Sequence, residues 1–166
     1  MIRPLAIIVL LSASLMPPPQ GVEVTTSKGS ATLKSEADLK EIGLPVYPGS
    51  RLREDAKESA RTTVAFWISD KGFRLVAVKY ESRDNSEKIL DYYRKALAKF
   101  GTVLQCPGGD TTPSGQTCKD HETKPGEVDL MAGSAETRRI VSVEPAPGGG
   151  TRFELVYLRA KGVEAH

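Results

Sequence analysis

The sequence predicts an α+β fold: an antiparallel sheet of two hairpins plus short strands, with one long amphipathic helix packed on one face. Three observations carry this. Two pairs of runs rich in β-branched and aromatic residues are each joined by a turn-forming stretch, Asp70-Lys71-Gly72 in one and Pro145 to Gly150 in the other. Between them, Asp84 to Phe100 repeats apolar residues at helical spacing. Hairpin connections leave no room for a parallel crossover except the one that this helix itself spans.

At the N-terminus, Met1-Ile2-Arg3 supplies a positive charge, Leu5 to Leu11 is an unbroken apolar run, and Ser12-Ala13-Ser14 offers small residues. That order is the layout of a secretory signal, with the cut expected between Ser14 and Gly21. The run is shorter than the roughly 20 apolar residues of a bilayer span. Pro17-Pro18-Pro19 then stops any helix. Residues 1–20 therefore read as a signal peptide, which puts the mature chain in the periplasm or outside the cell with no stable membrane span. Residues 21–35 are small and polar and read as a flexible linker, 36–160 as a single α+β domain, and 161–166 as a loose tail.

Within the domain, Ser35 is placed to cap a short helix over Glu36 to Ile42, and Gly43 to stop it. Gly43-Leu44-Pro45-Val46-Tyr47-Pro48-Gly49 is a rigid, non-helical entry. Thr62 to Ser69 and Phe73 to Glu81 form the first hairpin. With Lys71-Gly72 as a two-residue turn, Ile68 would face Leu75. One hairpin face then collects Val64, Phe66, Ile68, Phe73, Leu75 and Ala77; the other collects Thr63, Ala65, Trp67, Arg74, Val76, Val78 and Tyr80.

Asp84, with Glu87 three residues on, has the spacing of a capping box. Ile89, Leu90, Tyr93, Ala96, Leu97 and Phe100 make the helix's apolar stripe, Asp91 and Lys95 pair on its wet side, and Gly101 ends it. Thr102 to Cys106 is a short strand, Pro107 to Gly126 a loop and Glu127 to Ala132 another short strand. Arg138 to Glu144 and Thr151 to Arg159 form the second hairpin, with Val141, Val143, Phe153, Leu155 and Tyr157 facing inward.

The 166-residue chain has a formal net charge of +2, with 27% charged and 39% apolar residues. This is a globular balance, and without a clustered basic surface it excludes nucleic acid as a partner. Cys106 and Cys118 are the only cysteines. In an oxidising compartment they read as a disulfide. Closing a ring of about 13 residues stabilises by roughly 3 kcal/mol.

The same loop holds His121, Asp110, Asp120, Glu122 and Ser114. Cys106, Cys118 and His121 match no standard zinc spacing. Ser114, His121 and an aspartate are triad residue types, but all lie in one loop without a rigid scaffold or a Gly-x-Ser-x-Gly elbow. Gly148-Gly149-Gly150 lacks the strand-to-helix context of a phosphate loop. No catalytic residue, metal or cofactor is assigned. A small hydrolase or metal-dependent enzyme built on the loop around His121 is the weaker alternative, and a purely structural envelope domain is a third.

The stronger feature is an apolar face. The first hairpin is apolar on both sides, yet one helix covers one side. If Phe66, Ile68 and Leu75 meet the helix, then Trp67, Val76, Val78 and Tyr80, with Arg74 among them, face away. They would then be covered by Leu44, Val46 and Tyr47, or stand open as a binding patch for another envelope protein or an apolar ligand, anchored by Trp67. The expected role is an exported, non-catalytic binding domain.

Pro45, Tyr47, Pro48 and Gly49, followed by a hairpin and a helix carrying Tyr92, Tyr93, Leu97 and Gly101, form a pattern across roughly Gly43 to Ala160. It resembles an uncharacterised small domain of exported bacterial proteins that carry a Pro-x-Tyr-Pro-Gly turn. The resemblance implies an envelope location and supplies no activity. The Cys106 to Cys118 loop is not part of that pattern.

Overall fold

The computed structural model describes residues 23–25, 38–53, 60–108, 111–120 and 123–162. The fold is α+β, built on one antiparallel eight-stranded sheet. Its strands are β1 (Glu23–Thr25), β2 (Arg51–Leu52), β3 (Arg61–Ile68), β4 (Lys71–Ser82), β5 (Leu104–Cys106), β6 (Val128–Gly133), β7 (Thr137–Pro145) and β8 (Thr151–Lys161). In space they run β1-β3-β4-β8-β7-β6-β5, with β2 added to β4. Residues 38–42 are helical and are called α1; α2 is Ser86–Leu97.

Both hairpins form. The first turns two residues earlier than expected: Ile68 pairs with Lys71, so the turn is Ser69-Asp70 and not Lys71-Gly72. Ser69 takes the left-handed conformation (φ 56°). Gly72 is needed for a different reason. A Cβ there would stand 2.0 Å from the Phe66 carbonyl oxygen, so only glycine lets the strands approach. Moving the register by two residues on each side keeps every side chain on its expected face. Phe66 now opposes Phe73 and Val64 opposes Leu75.

The helix is shorter than the sequence suggested. α2 has 12 residues and tightens into a 3-10 turn, Ala98–Phe100, before Gly101. Its N-cap is Asn85, whose side chain accepts from the Lys88 amide at 3.1 Å. Asp84 is instead occupied by the Tyr47 hydroxyl (2.9 Å) and Lys88 Nζ (2.9 Å). On the wet side Asp91 pairs with Arg94. The chain crosses on α2 from the end of β4 to the far edge of the sheet, then returns as the meander β5-β6-β7-β8 and closes against β4.

The core lies between α2 and one sheet face. Ile89, Tyr93 and Leu97 of α2 are fully buried on Val141 and Val143 of β7, Phe153 and Leu155 of β8, and Val76, Val78 and Tyr80 of β4. Each such apolar side chain contributes about 1.5–3 kcal/mol by leaving water. Tyr157, the fifth inward residue expected of the second hairpin, packs half-buried at the core's margin. α1 lies beside α2 and buries Ile42, while Gly43 stops it: its amide donates to the Leu39 carbonyl (2.8 Å) at φ 71°. Ser35, the expected cap of α1, lies outside the described residues, as do residues 1–20.

Of the stretch read as a linker, Glu23–Thr25 is instead a strand that pairs with Thr63–Ala65. A single Val between two polar residues carries too little pattern to announce it. At the other end, β8 continues through Lys161, so the expected loose tail shortens to residues beyond Gly162, which lie outside the described set.

Candidate functional site

The entry loop and the helix are fastened by tyrosines. The Tyr93 hydroxyl donates to the Pro45 carbonyl and accepts from the Tyr47 amide, both at 3.1 Å. Tyr47 stacks edge-on against Tyr92, ring centroids 5.1 Å apart, and Tyr92 stacks edge-on against Tyr93. Burial pushes the Tyr93 phenol far above the ordinary tyrosine range, and burial followed by the Asp84 bond raises that of Tyr47. Lys88, and then Tyr47, hold the Asp84 carboxyl below the usual range. The residues that the sequence pattern grouped (Pro45, Tyr47, Tyr92, Tyr93) are thus one packing unit. They fasten the entry loop to α2, and Asp84, bound by Tyr47 and Lys88, also lines a pocket of about 500 Å³ with Arg51, Glu81, Ser82, Arg83 and Arg152.

Cys106 and Cys118 form the disulfide, with Cα atoms 5.6 Å apart. Its loop folds across the sheet face opposite α2. Gln116, 2% exposed, donates from Nε2 to the Ser134 carbonyl (3.3 Å) at the far end of β6, and Thr112 is 6% exposed. Beneath it, Leu104, Cys106, Met131 and Ile140 form a second small core against which Cys118 and Val156 pack. The Ser114 hydroxyl is bound to that of Thr112 (2.9 Å). His121, Asp110 and Glu122 lie outside the described residues. Among the described residues no group of three His, Cys, Asp or Glu side chains is placed to hold a metal.

The face assignment made from sequence is overturned. Val76 and Val78 are 0% exposed and Tyr80 is 4% exposed, in a core that they share with Leu44 and Tyr47 of the entry loop, one of the two covers expected for them, and with Ile89, Tyr93 and Leu97 of α2. The physical reason is the β4–β8 pairing. Tyr80 opposes Phe153 and Val78 opposes Leu155, so the inward set of the second hairpin carries this face of the first into the same core. Arg74 is bound in bidentate fashion by Glu41 of α1, with Nη2 to Oε2 at 2.8 Å, and that carboxylate raises the guanidinium's pKa. Trp67 is on the same face but beyond the helices, half-buried, with the Arg159 guanidinium 5.5 Å from its ring. The five residues do not form one patch.

The open apolar surface is the other face. The disulfide loop covers its β5–β6–β7 side, while Val64, Phe66, Phe73, Leu75, Val156 and Leu158 are half-buried. Along the border runs a trough of about 360 Å³. Leu75, Ala77, Ile140, Val156 and Leu158 form its floor, and Lys124, Glu127, Ser142 and Glu154 its rim. That volume is at the small end of the roughly 300–1,000 Å³ usual for ligand sites. The sequence listed the right residues for this face but assigned them to the helix.

Sequence reasoning also missed Arg139. It lies 4.1 Å from the Phe100 ring and 5.0 Å from that of Tyr157, and its Nε donates to the Ile42 carbonyl at 3.2 Å, so one side chain ties α1, the end of α2 and the sheet together. An arginine between Arg138 and Ile140 in a strand gives no local sign of that. No helix among the described residues is long and apolar enough to cross a membrane. No protein-family model, curated protein or solved structure matches the chain.

Proposed function

We propose that this protein is an exported, non-catalytic binding domain of the cell envelope, periplasmic or secreted. Its contact surface receives an apolar polypeptide segment of another envelope protein in the trough beside the disulfide loop. One observation carries the reading: a sheet face half covered by the chain's own loop and half left open, with an aliphatic floor and a rim of both charge signs. The covered half indicates the occupant, since there a polypeptide segment lies on this face, held by the disulfide and by the Gln116 side-chain amide, which donates to the Ser134 carbonyl. The leader-like N-terminus and the Cys106–Cys118 bridge support the oxidising location.

The test places a photoreactive phenylalanine at Leu158, or at exposed Lys95 as control, in the full chain in an exporting cell. Leu158 is expected to yield one discrete adduct, mapped by mass spectrometry to an apolar segment of the partner. Val156→Asp should remove that adduct. No adduct at Leu158, or the same adducts from Lys95, would leave a purely structural domain and overturn the reading.

A further inference from the structure

The end of the first hairpin differs in character from the rest of the surface. Ile68 is 62% exposed, the most exposed large apolar side chain among the described residues. Phe66 and Phe73 oppose one another behind it on one face, ring centroids 6.4 Å apart, and Trp67 stands on the other face. Three exposed cations border this apolar end. Lys71 pairs directly with Ile68, Lys161 lies opposite Gly72, and Arg159 sits over Trp67. Among the described residues the hairpin turn carries one carboxylate, Asp70, 3.7 Å from Lys161 Nζ, and Glu136 adjoins β8 where its carbonyl accepts from the Ala160 amide. At the opposite end of the sheet Arg51 is paired with Glu81 and the half-buried Arg53 with Glu144.

We propose that this hairpin tip docks on an anionic lipid surface. Ile68 would enter the headgroup boundary, Trp67 would lie at the interface, and Lys71, Arg159 and Lys161 would meet the lipid phosphates. The chemistry is that of interfacial anchoring: an apolar tip, an amphipathic aromatic and cations whose stems lie along apolar surface. The trough is a separate surface, and docking at the tip does not depend on what fills it.

Trp67 is the only tryptophan, so the full chain carries its own reporter. It is titrated with vesicles of phosphatidylcholine alone or mixed with phosphatidylglycerol, in each case with brominated acyl chains. Phosphatidylglycerol vesicles are expected to quench and blue-shift Trp67, and salt to weaken the effect. Lys71→Glu and Lys161→Glu should each weaken binding about fivefold or more, and Asp70→Asn should strengthen it. Ile68→Asp, an exposed site whose folding circular dichroism would check, should abolish the quenching. Three results would overturn the proposal. Vesicles could sediment with the protein while Trp67 emission stays unchanged, which is anchoring by the leader alone. Neutral and anionic vesicles could act alike. Or the emission change could depend on protein concentration without lipid, which is docking of a second copy.

Discussion

Replacing Tyr93 by Phe tests whether the entry loop is held to the helix by one hydroxyl. The residue is 0% exposed, and its oxygen serves two main-chain groups, the Tyr47 amide and the Pro45 carbonyl, each at 3.1 Å. Phe keeps the ring and its packing against Phe153 (centroids 5.6 Å apart) and removes only that oxygen. Both bonds are part-buried, so losing each costs about 0.5–1.5 kcal/mol. The expected loss is therefore about 1–3 kcal/mol. For a chain of this size that lowers Tm by roughly 3–10 °C. Urea unfolding of the oxidised protein measures it, and hydrogen exchange locates it: the Tyr47 amide should lose protection while β4 and β8 amides keep theirs. Tyr92→Phe is the control, because its 3.4 Å bond to the Val46 carbonyl is exposed; it should cost under about 0.5 kcal/mol. A Tyr93→Phe loss no greater than the control's, or an unchanged Tyr47 amide, would refute the reasoning.

Reducing the disulfide should cost about 3 kcal/mol by loop-closure entropy, read as the difference between urea midpoints with and without dithiothreitol, with α2 helicity retained in the folded baseline. Alkali should destabilise the fold through Tyr93. Its folded pKa is raised above the unfolded value of about 10, so its contribution is complete below pH 10 and falls by about 1.4 kcal/mol per pH unit above it. Urea unfolding at stepped alkaline pH should show that slope reduced in Tyr93→Phe. Gly72→Ala forces a Cβ to 2.0 Å from the Phe66 carbonyl and should cost more than about 3 kcal/mol, whereas Ser69→Gly relieves a left-handed serine and should gain about 0.5–1 kcal/mol, both by thermal unfolding.

Much of the fold was legible because period-2 alternation is local. Side chains of Thr62–Ser69 and Phe73–Glu81 sorted to the correct faces even though the turn was misplaced, since Gly72 looks like a turn residue and is in fact a close-approach residue. Which face met the helix was not local. Phe66, Ile68 and Leu75 are as apolar as Val76, Val78 and Tyr80, and the choice falls to the β4–β8 register, a pairing between residues some 70 or more positions apart such as Val78 and Leu155. For the same reason the trough was invisible: its floor gathers Leu75 of β4, Val156 of β8 and Ile140 of β7. The cap was missed by one residue because Asp84 and Asn85 are both competent, and only the Tyr47 hydroxyl decides that Asp84 is engaged elsewhere. The disulfide was legible because two cysteines permit one intramolecular pairing.

The last described strand, β8, occupies the middle of the sheet, with β4, β3 and β1 on one side and β7, β6 and β5 on the other. Until residues 151–161 are available, β4 and β7 have no strand between them, and the half-sheets expose two bare edges. Ribosomal synthesis therefore delivers the keystone of this sheet after all the other described strands, and the halves remain open to self-association until it arrives.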